Sequence, residues 1–295
     1  MVHSKSISEK LGTILAYIIL TIMTFSCLLP IVHTIAISFS DKAAAVAGLV
    51  TFIPVRFTTA SYYAILEDQQ FFRSFGNSII RVLLGGSINM ILTILMAYPL
   101  SKSKKYFPQR NIYMWFLIFV MLFNGGIIPN YLLINRLKLL DTIWALVLPG
   151  AIPIFNVIIL MNFFKGIPRE LEEAARVDGS NPWMILFKIY IPLAVPAIAT
   201  VTLFSIVGHW NAFFDGIIYI NTSVKLPLQS YMQQLIVEVR ETSMMSMEEL
   251  QRINEISSKT FNAAKVLVSM VPIIMIYPFL QKYFVTGLVM GSVKG

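Results

Sequence analysis

Residues 13–37 read TILAYIILTIMTFSCLLPIVHTIAI, and this run contains no Asp, Glu, Lys or Arg. It exceeds the ~20 apolar residues that a membrane-spanning helix needs. Of the 295 residues, 57% are hydrophobic and only 13% are charged, against about 25% charged in an average soluble domain. The composition therefore predicts an all-α, polytopic membrane protein and excludes a soluble enzyme.

Five further apolar segments follow the first one. The weakest is the last, because Lys265 interrupts it. Six spans would place both termini on the same side of the membrane. The five segments are residues 76–101, 111–135, 142–164, 189–214 and 260–281.

An alternative reading of the start is a secretory signal, because Lys5 and Lys10 precede the apolar run and Ala43-Ala44-Ala45 follows it. The run is longer than the ~7–15 apolar residues of a typical signal peptide. Its removal would also leave an odd number of spans, so we expect it to be retained.

The distribution of basic residues predicts the orientation of the six spans. With cytoplasmic termini, the inner segments carry 12 basic and 5 acidic residues, and the outer segments carry 9 basic and 10 acidic ones. The short loop 102–110 contributes four of the inner basic residues. The positive-inside rule therefore predicts cytoplasmic termini.

The inner loop 165–188 has the signals of a short helix-turn-helix. Pro168 suits the first helical position, and three glutamates follow it where the helix dipole favours acids. Gly179 suits a left-handed helix stop, and Ser180 or Asn181 can cap a second helix opened by Pro182.

One face of the first loop helix is predicted to meet a partner. Leu171, Ala174, Ala175 and Asp178 follow helical spacing, and Glu173 flanks them. The two alanines leave room for the close approach of another surface. A solvated interfacial helix without a partner explains the same spacing, and periodicity does not decide between the two.

The pattern Glu173-Ala174-Ala175, Gly179, Ile189, Ile191 and Pro192 resembles the EAA loop of ABC importer permeases. The family usually has Leu where this chain has Ile191. The resemblance implies that the loop couples the permease to a cytoplasmic ATPase and that Glu173 pairs with a basic ATPase residue. The coupling residues it implies are Leu171, Glu173, Ala174, Ala175, Asp178, Gly179, Ile189 and Pro192.

Two other stretches extend the resemblance. Residues 281–295 resemble the tail of the smaller permease of maltose-type carbohydrate importers, and residues 123–131 resemble a Gram-positive branch that serves complex oligosaccharides with a lipoprotein binding subunit. The resemblance implies the type I (MetI-like) importer permease fold. We expect an N-terminal part at 1–75, a permease core at 76–281 containing the coupling loop 165–192, and a cytoplasmic tail at 282–295.

The resemblance also implies the partners of the chain. They are a second homologous permease, two copies of a cytoplasmic ABC ATPase, an extracellular solute-binding (lipo)protein, a sugar and membrane lipids, with no nucleic acid. No phosphate-binding Gly-x-x-x-x-Gly-Lys-Ser/Thr motif occurs, so ATP and Mg²⁺ are expected in the ATPase. The chain itself is expected to hold no cofactor or metal and to lie in the plasma membrane of a Gram-positive bacterium.

Candidate sugar contacts are polar and aromatic residues in or near the spans. Aromatic faces and amides suit sugars, but Trp and Tyr also form interfacial belts, and the resemblance implies that the partner permease supplies most contacts. The candidates are Asn124, Tyr131, Trp210, Asn211, Phe214 and Asp215.

Three functions other than that of a sugar permease are compatible with a polytopic membrane protein. A secondary transporter should show an internal repeat and ionisable residues at mid-membrane, and neither is evident. An ABC permease for a solute other than a sugar stays open. A membrane-embedded hydrolase would need a catalytic constellation that the sequence does not offer.

A capping box at Ser246–Glu249 predicts a helix in the outer loop 221–259.

Overall fold

The computed structural model describes residues 7–241 and 259–292, which are mostly helical and contain no strand. The predicted helix after Ser246 lies outside the described residues. The helices are α1 (Ile7–Ser38), α2 (Lys42–Val46), α3 (Ala60–Glu67), α4 (Gln69–Ser101), α5 (Arg110–Leu122), α6 (Ile127–Arg136), α7 (Ile143–Val147), α8 (Ile154–Gly166), α9 (Arg169–Val177), α10 (Pro182–Ile185), α11 (Ile191–Leu193), α12 (Val195–Asn211), α13 (Phe214–Tyr219), α14 (Leu228–Glu241) and α15 (Lys259–Ser292).

The chain divides into two compact units. One unit contains residues 1–69 and 235–270, and the other contains residues 70–234 and 271–295. The boundaries expected at residues 75 and 281 stay predictions. The candidate site described below lies within the second unit.

Three of the predicted spans are single helices of sufficient length, namely Leu11–Ser38, Gln69–Ser101 and Lys259–Pro278. The last of these belongs to α15, which continues to Ser292, past the predicted end of the span at residue 281 and into the expected tail. Lys265 does not interrupt α15, because its buried Nζ lies 2.5 Å from Oδ2 of Asp68. A paired charge is far cheaper to bury than an isolated one.

The third predicted span, residues 111–135, is not one continuous helix. Helices α5 and α6 meet at an angle of 111°. The reason lies in the connecting residues: Gly126 has φ 89°, and its N–H donates to Oδ1 of Asn124 at 2.9 Å. This turn satisfies a backbone donor that a continuous helix would have bonded internally.

The fourth and fifth predicted spans are also interrupted. The 142–164 segment forms the short α7 and the 13-residue α8, separated by a stretch that contains Pro149 and Pro153. In the 189–214 segment, the helix ending at Leu193 and α12 meet at 83°. Pro192 and Pro196 flank that bend, and each lacks the N–H that would continue the backbone ladder.

A core of aliphatic and aromatic side chains holds α4, α8 and the segment from α10 to α12 together. Leu160, Phe164, Ile185, Leu186 and Tyr190 are buried in it. The loop helix α9 rests on the end of this core.

Candidate functional site

Residues 169–185 form the helix-turn-helix that the sequence predicts. Gly179 has φ +78°, and the N–H groups of Ser180 and Gly179 donate to the carbonyls of Ala175 and Arg176, at 2.9 and 3.1 Å. This is a Schellman stop. Oδ1 of Asn181 accepts from the N–H of Met184 at 2.8 Å, so the predicted cap is confirmed.

The start of α9 differs from the prediction by one residue. Pro168 is the N-cap, with ψ 131°, and Arg169 is the first helical residue. Pro182 occupies the first turn of α10, as predicted.

The outer face of α9 is open to solvent. Leu171 is 44% exposed, and Glu173, Ala174 and Asp178 are exposed as well. The following turn adds Trp183, whose ring stacks on that of Phe187 with their centres 6.4 Å apart. Exposed carboxylates and large apolar side chains thus share one continuous stretch of this loop.

Ala175 is less exposed than its neighbour Ala174. It is half-buried and packs against the core, so it lies at the inner edge of the predicted face. The physical reason is its neighbour Glu172, three residues earlier, which is only 7% exposed and turns its side of α9 inwards. A buried charge, rather than the apolar spacing, sets the rotation of the helix.

Glu172 has three donors around its carboxylate. Oε2 accepts from Nζ of Lys102 at 2.8 Å and from the hydroxyl of Tyr190 at 2.7 Å, while Oε1 accepts from Nη2 of Arg176 at 2.8 Å. Burial alone would raise the pKa of Glu172, but these hydrogen bonds outweigh it and hold the pKa below its usual value. Glu172 is therefore a carboxylate at neutral pH.

The contact between Lys102 and Glu172 places two predicted inner loops on the same side of the protein. The 102–110 loop follows α4, and the loop helix α9 follows α8. The prediction that the basic loop and the helix-turn-helix share one side is therefore confirmed.

The end of the motif lies where the loop runs back into the core. Ile189 is half-buried against the core, and Pro192 is exposed. Between them, residues Leu186–Tyr190 adopt a π-helical turn. Such turns are rare in α-helices and occur frequently at functional sites.

A second polar region surrounds a cavity of about 320 Å³ in the same unit. Arg81 of α4 is buried and forms a bidentate pair with Asp215 of α13, with Nη1 at 3.1 Å from Oδ1. Nη1 also donates to the carbonyl of Ala212 at 3.2 Å. Both members of the pair line the cavity.

Amide, hydroxyl and imidazole groups line the rest of the cavity, but they bond largely to one another. The amide oxygen of Asn89 accepts from Nε2 of His209 at 3.2 Å, and its nitrogen lies 3.0 Å from the Gly85 carbonyl. Asn156 donates to the hydroxyl of Ser205 at 3.1 Å. The cavity also borders Pro149 and Pro153, where the fourth span is broken, which fits the rule that irregular backbone at membrane depth faces protein or a cavity.

The predicted sugar contacts are only partly brought together. Asp215 lines the cavity, and Tyr131 stacks on Tyr219, another lining residue, with ring centres 6.4 Å apart. Trp210 is buried with its ring edge-on to Phe75. Asn211, Phe214 and Asn124 are exposed, and Asn124 serves the turn before α6.

Sequence reasoning missed Glu172 as a buried group, and it also missed Arg81 and His209 as parts of this region. The one available signal was that each is a charged or titratable residue next to or within an apolar segment. The partners of Glu172 and Arg81 could not be predicted from the sequence. Lys102 lies 70 positions from Glu172, and Asp215 lies 134 positions from Arg81.

A third polar contact lies in the predicted outer loops, at the ends of the spans opposite to those that carry α9. Asp141 accepts from the N–H groups of Asn221 and Thr222 and from Nζ of Lys225, the last at 2.6 Å. The hydrogen bond from Lys225, followed by that from the Thr222 N–H, holds the pKa of Asp141 well below its usual value. Asp141 thus joins the loop before α7 to the loop after α13.

Within residues 7–241 and 259–292, no group of three or more His, Cys, Asp or Glu side chains is arranged to hold a metal ion. The single cysteine, Cys27, is exposed on α1.

Residues 83–290 match the family model described as the binding-protein-dependent transport system inner membrane component. The polygalacturonan/rhamnogalacturonan transport system permease protein YtcP of Bacillus subtilis is 39% identical over 287 residues, which cover 97% of this chain and 99% of the relative. Protein LplC of the same organism is 40% identical over 271 residues, covering 91% of this chain and 90% of the relative.

A solved structure is also similar to this chain. It is the crystal structure of a bacterial ABC transporter involved in the import of the acidic polysaccharide alginate. One of its chains aligns with a TM-score of 0.84 and 34% identity, covering 95% of this chain and 99% of that chain.

Proposed function

The chain belongs to the family of binding-protein-dependent transport system inner membrane components, and from this premise we propose that it is the permease subunit through which an ABC importer carries a sugar across the plasma membrane. The sugar is an oligosaccharide or a polysaccharide fragment. The relatives named for polygalacturonan/rhamnogalacturonan and the alginate transporter support this substrate class.

The outer face of α9 is the observation that carries this proposal. Glu173, Ala174 and Leu171 are exposed beside the stacked pair Trp183 and Phe187. An amphipathic helix that leaves an apolar and acidic face uncovered suits a groove of a partner protein with basic groups. We assign that face to the ATPase, with Glu173 as the residue that pairs with a basic side chain.

The complete transporter is proposed to contain this chain, a second homologous permease, two copies of the ATPase and an extracellular solute-binding lipoprotein. ATP and Mg²⁺ belong to the ATPase, and this chain holds no cofactor. Both termini and α9 face the cytoplasm of a Gram-positive bacterium, in agreement with the excess of basic residues in the inner loops.

The sugar pathway is proposed to run past the Arg81–Asp215 pair that lines the cavity. Asp215 is the predicted substrate residue that lines it, and Tyr131 reaches it through Tyr219. The buried Trp210 supports this end of α12 through its contact with Phe75. Asn124, Asn211 and Phe214 are exposed and stay candidates for contact with the sugar.

The test is Glu173→Lys, which places a positive charge where a basic ATPase residue is expected. Like charges across an interface can cost several kcal/mol, so the ATPase should no longer co-purify and uptake should cease while the chain still accumulates in the membrane. Glu67→Lys is the matched control, because Glu67 is also an exposed glutamate but lies at the end of α3 in the other unit. Uptake that persisted without the ATPase and stopped when the proton gradient was abolished would contradict the proposal.

A further inference from the structure

The two neighbouring glutamates Glu172 and Glu173 have opposite surroundings. Glu173 is exposed, whereas the Glu172 side chain is only 9% exposed and is held by Lys102, Arg176 and Tyr190. Because a helix turns by about 100° per residue, one of the two residues can meet a partner while the other meets the membrane helices. Their roles should therefore be separable by substitution.

The ammonium group of Lys102 contacts two aromatic rings in addition to its ion pair with Glu172. Its Nζ lies 3.9 Å from the ring centre of Tyr98 and 3.8 Å from that of Tyr190. The planes of the two rings meet at 78°, with centres 5.1 Å apart. The lysine is thus held between two aromatic faces and bonded to Glu172 at its tip.

These contacts join three elements at one point. Tyr98 and Lys102 lie at the end of α4, Glu172 lies on α9, and Tyr190 lies in the π-helical turn that leads to α12. Among the described residues, Ala175 is an apolar side chain of α9 that packs against the core. Apolar contacts are not directional and allow sliding, whereas charge-assisted hydrogen bonds fix both distance and direction.

We propose that Lys102, Glu172 and Tyr190 form a positioning cluster, which converts movement of α9 on the ATPase into movement of α4 and α12. This inference rests on the proposed function, since it takes α9 to be the helix that meets the ATPase. The three residues position α9 and do not themselves contact the ATPase. Coupling should therefore depend on them, while binding of the ATPase should not.

The test uses the assembled complex with its ATPase and binding protein in membrane vesicles, and the variants Lys102→Met and Glu172→Gln. Two quantities are measured: the amount of ATPase that co-purifies, and the sugar taken up per ATP hydrolysed. We expect ATPase binding to be unchanged and uptake per ATP to fall by roughly tenfold or more, within the usual range of coupling between sites. Tyr190→Phe keeps the ring and loses one hydrogen bond, so its effect should be smaller.

Two further variants separate positioning from mere stability. Lys102→Arg keeps the charge and the aromatic contacts, and it should retain uptake per ATP. The double variant Lys102→Met/Glu172→Met removes both members of the ion pair and should recover the melting temperature lost in Lys102→Met, as paired apolar replacements often do. It should nevertheless remain uncoupled, because the directional bonds are gone.

The outcomes distinguish this inference from the proposed function. Normal uptake per ATP in Lys102→Met, or recovered coupling in the double variant, would overturn the positioning role. Loss of ATPase binding in Glu172→Gln would also overturn it, since Glu172 would then act at the interface. If Glu173→Lys left both ATPase binding and uptake intact, the assignment of the outer face of α9 to the ATPase, on which this inference rests, would fail.

Discussion

The imidazole of His209 lies directly against Gly85, so that a β-carbon on Gly85 would be 2.5 Å from Cε1 and Nε2 of the ring. Helices α4 and α12 therefore approach each other at a point where one of them carries no side chain. The hydrogen bond between Asn89 and His209, one turn further along α4, fixes the ring in this position.

Gly85→Ala should consequently destabilise the protein, because the ring of His209 must move and its bond to Asn89 must stretch or break. Overpacking of this kind costs about 1–3 kcal/mol. The adjacent Gly86→Ala is the control, since a β-carbon there would meet nothing within 4 Å. Thermal unfolding of the detergent-solubilised complex should show a lower midpoint for Gly85→Ala only, and equal midpoints for the two variants would contradict the packing described.

The Arg81–Asp215 pair predicts unequal effects of removing either partner. The side chain of Arg81 is 3% exposed and that of Asp215 is 28% exposed. Asp215→Leu leaves a buried guanidinium without its carboxylate, and losses of this kind cost about 3–5 kcal/mol. Arg81→Met leaves a carboxylate that water can still reach, so its cost should be smaller.

The double variant Arg81→Met/Asp215→Leu should be more stable than Asp215→Leu alone, because no unpaired buried charge remains. The midpoint of thermal unfolding of the three variants checks the order. A double variant less stable than both single ones would show that the pair is not the main source of the effect.

Local features of the loop could be predicted from the sequence, whereas its rotation could not. Gly179 and Asn181 act through their own backbone neighbours, so the stop and the cap follow from residue type and spacing. The inward rotation of α9 depends on Lys102, which lies far away in the sequence. Helical spacing alone favoured Ala175 as an exposed residue, since it contains no information about a distant charge.

The geometry of the interrupted spans could also be predicted only in part from the sequence. Pro149, Pro153 and Gly126 are visible in the sequence as residues that disfavour a continuous helix. Whether such residues kink a helix or end it depends on what satisfies the released backbone groups. At Gly126 the side chain of Asn124 does so, and the angle of 111° that results could not be derived from hydropathy.

Asp141 predicts a dependence of stability on pH. Its pKa in the folded protein lies below the value of about 3.9 for an unperturbed aspartate. The stabilisation is therefore fully present above pH ~4 and is lost as the pH falls through the folded pKa. Asp141→Asn should lower the unfolding midpoint by a constant amount between pH ~5 and 8, and the difference from the unsubstituted protein should shrink below pH ~4.

The control for Asp141 is Asp178→Asn, because Asp178 is exposed at the end of α9. A difference for Asp141→Asn that grew as the pH fell would have the wrong sign for a carboxylate stabilised in its charged form.

The orientation of the spans can be tested by labelling single cysteines, after Cys27 has been replaced by alanine. Lys104→Cys lies in the basic loop after α4, and Ser223→Cys lies in the loop joined to Asp141; both positions are exposed. A membrane-impermeant maleimide should label Ser223→Cys in intact cells and Lys104→Cys only after the membrane is opened. The reverse pattern would show that the count of basic residues assigns the wrong side.

Gly179 provides the most direct test of the turn between α9 and α10. Its φ of +78° is disfavoured for residues with a β-carbon by about 1–2 kcal/mol, least so for asparagine. A β-carbon at this position would meet nothing within 4 Å, so any loss comes from the backbone and not from a clash. Gly179→Val should therefore displace α10 relative to α9 and abolish uptake while the chain still accumulates in the membrane, whereas Gly179→Asn should retain most of the uptake. Equal uptake in the two variants would show that transport does not depend on the geometry of this turn, and the assignment of α9 and α10 to the ATPase interface would lose its support.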